Sequence, residues 1–534
     1  MIKQQSLYLS ILSGIFLSLP WIFPNMAGVL FVAFVPLFFT EVRQLEKSDR
    51  KQMPFFVFSV IAFLIWNVLS TWWIGYVSVT GMLLISVLNA TLMAAVFNLA
   101  HRVRSRLSAP SGYFSLIVFW ISFEYLQHHW ALPWPWLTLG NGFSNTVKLI
   151  QWFEFTGVLG GSLWILLSNI LIFELIKTFA GSAILKRATL VSAVAVVVLP
   201  ILLSLNIYSV ISPEGATKNV LILQPNIDPY TEKFSGMSAE EQLDRIFSLA
   251  ESNVADSTDF IIAPETALPV MWEDSLAGLN SSIASIRKIV SQFPDGGFIS
   301  GAMTQRRLLN DEIITETARP SADGTYFFEL YNSALFVDQR NKVQISHKSI
   351  LVNGVEKMPF QKYASFMEKY LLHLGGTSGS LASGEPVLFS GKNGVKIGPV
   401  ICFESVFGEF CSQIVGQGAD FLVVLTNDGW WKESAGSWQH FGYARIRAIE
   451  TRRNVLQCAN TGISGVINSR GDVVSKTEIN EIATLNSAIH INTQTSFYTQ
   501  YGDLTGKICL AFSVLIFVFQ KVVVRFGKGK KNPH

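Results

Sequence analysis

The chain has 534 residues, half of them hydrophobic and only 15% charged, with a mean hydropathy of +0.36 and a net charge of +3. Soluble domains carry about 25% charged residues, so much of this chain faces lipid, and so small a net charge gives no argument for a nucleic-acid partner. Its cysteines, Cys402, Cys411, Cys458 and Cys509, show no C-x-x-C and no zinc spacing, which excludes a disulfide scaffold or a zinc module.

A hydrocarbon core of about 30 Å needs roughly 20 apolar residues per helix. Such stretches lie near 6–23, 27–42, 54–76, 79–100, 112–127, 155–178 and 188–210, and an eighth near 506–525. Lys3 precedes the first, but no small-residue cleavage site follows, so it reads as a span rather than a signal peptide. Between 211 and 505 nothing qualifies. The expected organisation is a membrane domain over 1–211 with seven transmembrane helices, a soluble domain over 218–498, and a closing transmembrane helix over 505–526.

Basic residues in short loops set the orientation. Arg43, Lys47, Arg50 and Lys51 follow span two; Arg102, Arg104 and Arg106 follow span four; Lys177, Lys186 and Arg187 follow span six. The tail adds Lys521, Arg525, Lys528, Lys530 and Lys531, whereas the loops after spans one and three have no Lys or Arg, and the loop after span five only Lys148. All clusters share one side if both termini are cytoplasmic, which puts the soluble domain outside the cytoplasm. On that outer side lies His128-His129-Trp130-Ala131-Leu132-Pro133-Trp134-Pro135-Trp136. Its tryptophans read either as an interfacial aromatic belt or as a wall guiding a lipid toward the soluble domain.

In the soluble domain, apolar runs such as Val220–Gln224, Phe260–Ala263, Phe298–Gly301, Ala334–Val337, Val400–Cys402 and Phe421–Leu425 predict strands buried on both faces. Helical patterns near 238–253, 280–292 and 437–451 supply covering layers, giving an α/β domain. Glu265, Lys348 and Cys402 each follow a predicted strand, where α/β proteins place their sites. A carboxylate, an amine and a thiol can make an acyl-transfer site: the thiol attacks a carbonyl, the carboxylate takes its proton, and the ammonium holds the oxyanion. Spacing alone leaves the alternatives open, since a cysteine ending a buried strand can be a core residue and a strand-end Glu or Lys a rim charge.

The soluble domain resembles the nitrilase-type carbon–nitrogen hydrolases, whose signature is a Glu–Lys–Cys triad. The matching segments are Ala263-Pro-Glu-Thr266, His347-Lys348, Gly398-Pro-Val-Ile-Cys-Phe-Glu404, Leu425-Thr-Asn-Asp-Gly-Trp430, Gln439–Glu450 and Asn460-Thr-Gly-Ile-Ser464. With its outward-facing placement between span seven and span eight, the whole chain is similar to the apolipoprotein N-acyltransferase family of Gram-negative inner membranes. The resemblance implies a multi-pass α-helical membrane domain plus an αββα sandwich. It implies that Cys402 takes an acyl chain from a phospholipid as a thioester and passes it to the N-terminal amine of a diacylglyceryl-modified apolipoprotein. Glu265 is then the general base and Lys348 the oxyanion stabiliser, with the Phe403 N–H as a second donor. Glu356 would orient Lys348, and Glu404 would support Lys348 or the amine substrate. Phe234, Trp134 and Trp136 are the implied substrate-binding aromatics. Phe403 stands where the family commonly has Tyr, Asn353-Gly-Val-Glu356 where it has Pro-Phe-Gly-Glu, and Phe234 where it has Trp.

The partners expected are therefore the two lipid substrates and the bilayer, with a monomeric enzyme. No metal and no organic cofactor is expected, because His440, His490 and the His128-His129 pair lack ligand spacing. Cys411 and Cys458 read as core thiols. Two further readings are a membrane-anchored amidase using the same triad with water, and a transporter or scaffold. The latter needs ionisable residues deep in the spans, whereas Glu124 and Glu174 lie near span ends.

Overall fold

The computed structural model describes residues 2–46, 54–178, 183–212, 215–278, 280–293, 295–340, 342–358 and 380–528. Lys47, Arg50, Lys51, Lys530 and Lys531 lie outside the described residues. The chain forms two compact units, one of Met1–Gly75, Val79–Tyr208 and Asp503–His534, the other of Tyr76–Ser78 and Ser209–Gly502.

The first unit is helical: α1 (Ile2–Ile22), α2 (Val35–Glu46), α3 (Phe55–Thr71), α4 (Val79–Arg106), α5 (Ala109–His129), α6 (Phe153–Lys177) and α7 (Ala183–Val210), closed by a helix at Leu504–Lys528. Among the described residues, six stretches are long and apolar enough to cross a membrane: Gln4–Ile22, Ala27–Glu46, Phe55–Tyr76, Val79–Arg106, Phe153–Lys177 and Ile184–Val210. The second joins a 3-10 turn at Ala27–Val32 to α2. The fifth expected span is the helix α5, whose polar face lowers its hydropathy. Gln127 Nε2 on that face donates to Asn89 Oδ1 at 2.8 Å, and Asn89 Nδ2 to Asn67 Oδ1 at 2.8 Å, while Ser122 Oγ meets Ser513 Oγ of the closing helix at 2.9 Å. That closing helix is apolar over Leu504–Val518. Serines such as Ser18 and Ser168 return their hydroxyls to the carbonyl one turn back, of Gly14 and Trp164, and so are satisfied without water. Phe34, Phe38, Phe63, Phe97 and Trp120 form a buried aromatic core. The helix α4 outlasts its predicted span, and Arg104 in its last turn points inward to Glu41 at 2.7 Å.

The second unit is layered. Its first sheet takes β1 (Thr217–Gln224), β2 (Phe260–Ile262), β3 (Leu268–Trp272), β4 (Gly297–Arg307), β5 (Arg319–Pro320), β6 (Phe327–Val337) and β7 (Gln344–His347). Its second takes β8 (Phe389–Ser390), β9 (Lys396–Ile401), β10 (Phe421–Thr426), β11 (Asn454–Ala459), β12 (Gly465–Ile467) and β13 (Val473–Lys476), and β14 (Ala483–His490) returns to the first, antiparallel to β1. The orders are β14-β1-β2-β4-β6-β5, with β3 on β4 and β7 on β6, and β13-β12-β11-β10-β9-β8.

Alternation along the strands builds the layers. Val220 and Ile222 of β1 join Phe260, Ile299, Phe336, Ile397, Val423 and Leu456 between the sheets. Leu221 and Leu223 turn the other way, onto the helices Ala239–Asn253 and Ser281–Val290 through Ile246, Ile283 and Ile286. On the far side, Val400, Leu422 and Val455 meet the helices Gly408–Gly416 and Ala435–Thr451 through Ile414, Ala444 and Ala448. Each fully buried Ile, Leu or Phe in these layers stabilises the fold by about 1.5–3 kcal/mol. The result is the αββα sandwich, and the three predicted helices start within two residues of their expected positions. Cys411 and Cys458 are buried core thiols, Cys458 lying 3.2 Å from Leu223 O.

Candidate active site

Strand direction gathers the site. β2 runs parallel to β4, β6 is antiparallel to β4, and β7 is antiparallel to β6. The carboxyl ends of β2 and β7 therefore point the same way, and Glu265 and Lys348 follow them. In the facing sheet β9 and β10 are parallel, and Cys402 stands immediately after β9.

Glu265 and Lys348 are 7% and 1% exposed. Lys348 Nζ lies 3.2 Å from Glu265 Oε1 and 2.9 Å from Glu356 Oε1. Asn332 of β6 donates through Nδ2 to both carboxylates, at 2.8 and 2.9 Å, and its carbonyl accepts the Lys348 backbone N–H at 2.8 Å. Glu356 Oε2 accepts the Val352 N–H at 2.9 Å. Gly301 is required for close approach, because a Cβ there would stand 2.5 Å from Thr266 N and 2.6 Å from Glu265 Cα.

Cys402 has φ +52, a left-handed conformation few non-glycine residues adopt, and opens a 3-10 turn through Val406 that places the Phe403 N–H beside the thiol-bearing residue. Burial pushes its thiol well above the ordinary cysteine value; Glu265 adds to this and Lys348 opposes it. The resting nucleophile is thus the neutral thiol, which needs a base. Burial works against charge on Lys348 as well, but Glu356, Glu265 and Cys402 together outweigh it and hold the ammonium well above its usual range. The trio can therefore offer a thiol, an adjacent carboxylate and a permanent cation.

Glu404, expected to support Lys348 or the amine substrate, bonds to the main chain beside Lys348. Its Oε1 accepts the Ser349 and Ile350 N–H groups at 2.6 and 3.1 Å, and its Oε2 accepts the Ile401 N–H at 2.7 Å. It ties the chain after Lys348 to the chain before Cys402, and its oxygens are occupied by backbone amides rather than by an ammonium. Burial raises it to about 7 against those amide bonds and Lys348.

The aromatics divide. Phe234 is 45% exposed and stacks on Trp430 at 6.0 Å. Trp134 is half-buried, but Trp136 is 1% exposed and packed against Trp73 and Trp134, at 5.0 and 6.1 Å, so its ring offers no surface to a substrate. Phe403 is buried edge-on against Phe407. Two site residues carry no pattern in the sequence. Asn332 is a lone amide inside a strand. Lys233, beside Phe234, donates to Thr266 Oγ1 at 2.6 Å, and burial lowers it to about 8 while Glu265 pulls it back up.

Residues 222–497, more than half of the chain, match the carbon–nitrogen hydrolase family model, and this chain belongs to that family. Residues 13–171 match the model described as the apolipoprotein N-acyltransferase N-terminal domain. The apolipoprotein N-acyltransferase of Chlorobaculum tepidum is 27% identical over 518 residues, 95% of each chain. That of Geobacter metallireducens is 28% identical over 531 residues, 96% of this chain and 95% of the relative. Among solved structures, a CN-hydrolase superfamily protein from Xanthomonas campestris is 17% identical, covering 51% of this chain and 91% of that one with a TM-score of 0.34.

Proposed function

We propose that this bacterial membrane protein acts as an apolipoprotein N-acyltransferase: it moves an acyl chain from a lipid donor to a lipoprotein acceptor. The observation that carries the reading is the buried Glu265–Lys348 pair beside the partly exposed Cys402, in a chain whose other unit is a set of apolar, membrane-length helices. The names of the relatives agree with acyl transfer and do not favour the amidase alternative.

In the mechanism we infer, Glu265 takes the Cys402 proton as sulfur attacks the sn-1 ester carbonyl of a phospholipid. The negative oxygen of the tetrahedral intermediate is held by Lys348 and the Phe403 N–H. The ester C–O bond breaks, Glu265 returns the proton to the departing lysophospholipid oxygen, and the acyl group remains as a thioester. The α-amine of a diacylglyceryl-cysteine then attacks the same carbon, Glu265 takes the amine proton and passes it to sulfur as the C–S bond breaks, and the thiol and the carboxylate are both restored. Splitting one transfer into two easier steps is the gain of covalent catalysis. Asn332 and Glu356 hold Lys348 and Glu265 in register, Phe234 contacts an acyl chain in the catalytic unit, and Trp134 contacts lipid in the helical unit. A lipid-anchored site gives proximity without a three-dimensional search. We infer seven spans over 1–211, the catalytic domain at 218–498 on the periplasmic side, a closing span at 505–526, both termini cytoplasmic, and a monomer.

The test is intact-protein mass spectrometry after incubation with phospholipid and no acceptor, wild type beside Cys402→Ala. An acyl-mass adduct on wild type alone, removed by hydroxylamine, is the expected result. No adduct on a Cys402 that still alkylates would overturn the lipid donor and favour hydrolysis of a C–N bond.

A further inference from the structure

Behind the cysteine lies a second acid–base pair that the triad does not use. Asp428, on the turn after β10, and His440, on the helix Ala435–Thr451, are both fully buried. His440 Nδ1 is 3.0 and 3.2 Å from the two Asp428 oxygens, and the Thr426 hydroxyl donates to Asp428 Oδ1 at 2.6 Å. The other ring nitrogen, Nε2, stands 2.7 Å from Ser405 Oγ and 3.2 Å from the carbonyl oxygen of Cys402. Ser405 Oγ is itself 2.8 Å from that carbonyl. Room for the acid comes from Gly462, where a Cβ would approach Asp428 Cβ to 2.7 Å.

One placement of hydrogens satisfies all of these contacts. A carbonyl only accepts, and Ser405 has a single hydroxyl hydrogen to give it. With that hydrogen given, Nε2 meets both oxygens only as a donor, and Nδ1 facing a carboxylate is a donor too. Burial opposes this imidazolium, but Asp428 and the Cys402 carbonyl outweigh the penalty and raise His440 above its ordinary value. The ion pair thus ends on the main chain of the nucleophile. A residue held at φ +52 persists only where its surroundings over-determine it. Here Glu404 holds the Ile401 N–H on one side and Ser405 with His440 holds the Cys402 carbonyl on the other. Because a trans peptide is planar, the Cys402 carbonyl and the Phe403 N–H point in opposite directions. Gripping the carbonyl from behind therefore aims the N–H forward.

We propose that Asp428 and His440 are positioning residues for Cys402: their buried ion pair grips the Cys402–Phe403 peptide by its carbonyl and so fixes both the direction of the thiol and the donor that meets the oxyanion. This rests on the acyl-transfer reading for the identity of the reaction, but not for the geometry.

The test uses the full chain and the variants His440→Leu, His440→Gln and Asp428→Asn. A glutamine amide can replace the Nε2 donor without titrating. Rates are expressed per molecule whose Cys402 titrates with iodoacetamide, which removes misfolded protein from the comparison. His440→Leu is expected to lower the maximal rate of Cys402 acylation by phospholipid about 100-fold. The half-saturating donor concentration should stay within about threefold, the mark of an interaction that binding does not use. His440→Gln should recover most of the loss, and Asp428→Asn should fall between. The proposal is overturned if titratable His440→Leu molecules acylate at the wild-type rate, or if Gln is no better than Leu. Should wild type itself take no acyl group, the acyl-transfer reading fails. The rate constants of iodoacetamide alkylation then decide: slowed by Leu and restored by Gln supports positioning, and equal rates overturn it.

Discussion

In the membrane unit the buried Glu41 takes Arg104 on one oxygen at 2.7 Å and His101 on the other at 3.1 Å, whereas in the sandwich unit Lys348 is divided between Glu265 at 3.2 Å and Glu356 at 2.9 Å. The first arrangement sets the one carboxylate against a permanent guanidinium, which is what a site of structural charge requires. The second has one ammonium between two carboxylates with a thiol beside them, so charge is left to act on whatever enters. Burial is similar in both places, and the difference lies in how the partners are shared.

That contrast can be broken from either side. Glu265→Gln keeps the shape and removes the base, and acyl-enzyme formation by mass spectrometry should slow on the order of 10²–10⁴-fold, with the melting temperature nearly unchanged. Arg104→Ala should do the reverse. It leaves the buried Glu41 with His101 but without its guanidinium, costing about 3–5 kcal/mol in a denaturation series, while the acylation rate per titratable Cys402 stays at wild type. Lys348→Met should lower acylation roughly 10²–10³-fold through loss of the oxyanion partner. A wild-type rate in either triad variant would dissolve the distinction between shared and exclusive pairing.

A smaller effect sharpens the comparison. Glu404→Gln should destabilise the protein by about 1–3 kcal/mol, since an amide nitrogen then faces backbone N–H donors. Glu404 is raised from 4.5 to about 7 in the folded protein, so its protonation-linked stability is fully present below 4.5 and is lost as pH rises through about 7. The melting-temperature gap between wild type and Glu404→Gln should therefore be widest near pH 4.5 and narrow toward neutrality. A gap independent of pH would mean that the carboxyl group stays ionised throughout.

Much of the architecture is legible in the sequence because hydrophobic periodicity is local. Runs of 20 apolar residues set helices in the first unit, and short runs such as Phe421–Leu425 set strands in the second. The structure adds a capping pair at the start of the helix Ala239–Asn253, Ser238 and Glu241, with reciprocal bonds at 3.2 and 2.7 Å. At α5 the amide and hydroxyl side chains turn inward to other helices, and the expected fifth span is a helix despite them. Glu265, Lys348 and Cys402 could be singled out because each ends a readable strand.

Other contacts depended on which strands lie side by side. Asn332 reaches both carboxylates only because β6 pairs with β4 and β7. Asp428 and His440 lie 12 positions apart, and their ring and carboxylate meet behind Cys402 only once a helix packs over the parallel pair β9 and β10. Glu404, two residues past the cysteine, gives no hint in sequence that its Oε1 is claimed by the main-chain amides just past β7. Chain-local preference determined the helices, the strands and the ends on which reactive groups sit. Tertiary packing decided which buried charges share a partner, because burial and distance, not residue type, set the strength of each interaction.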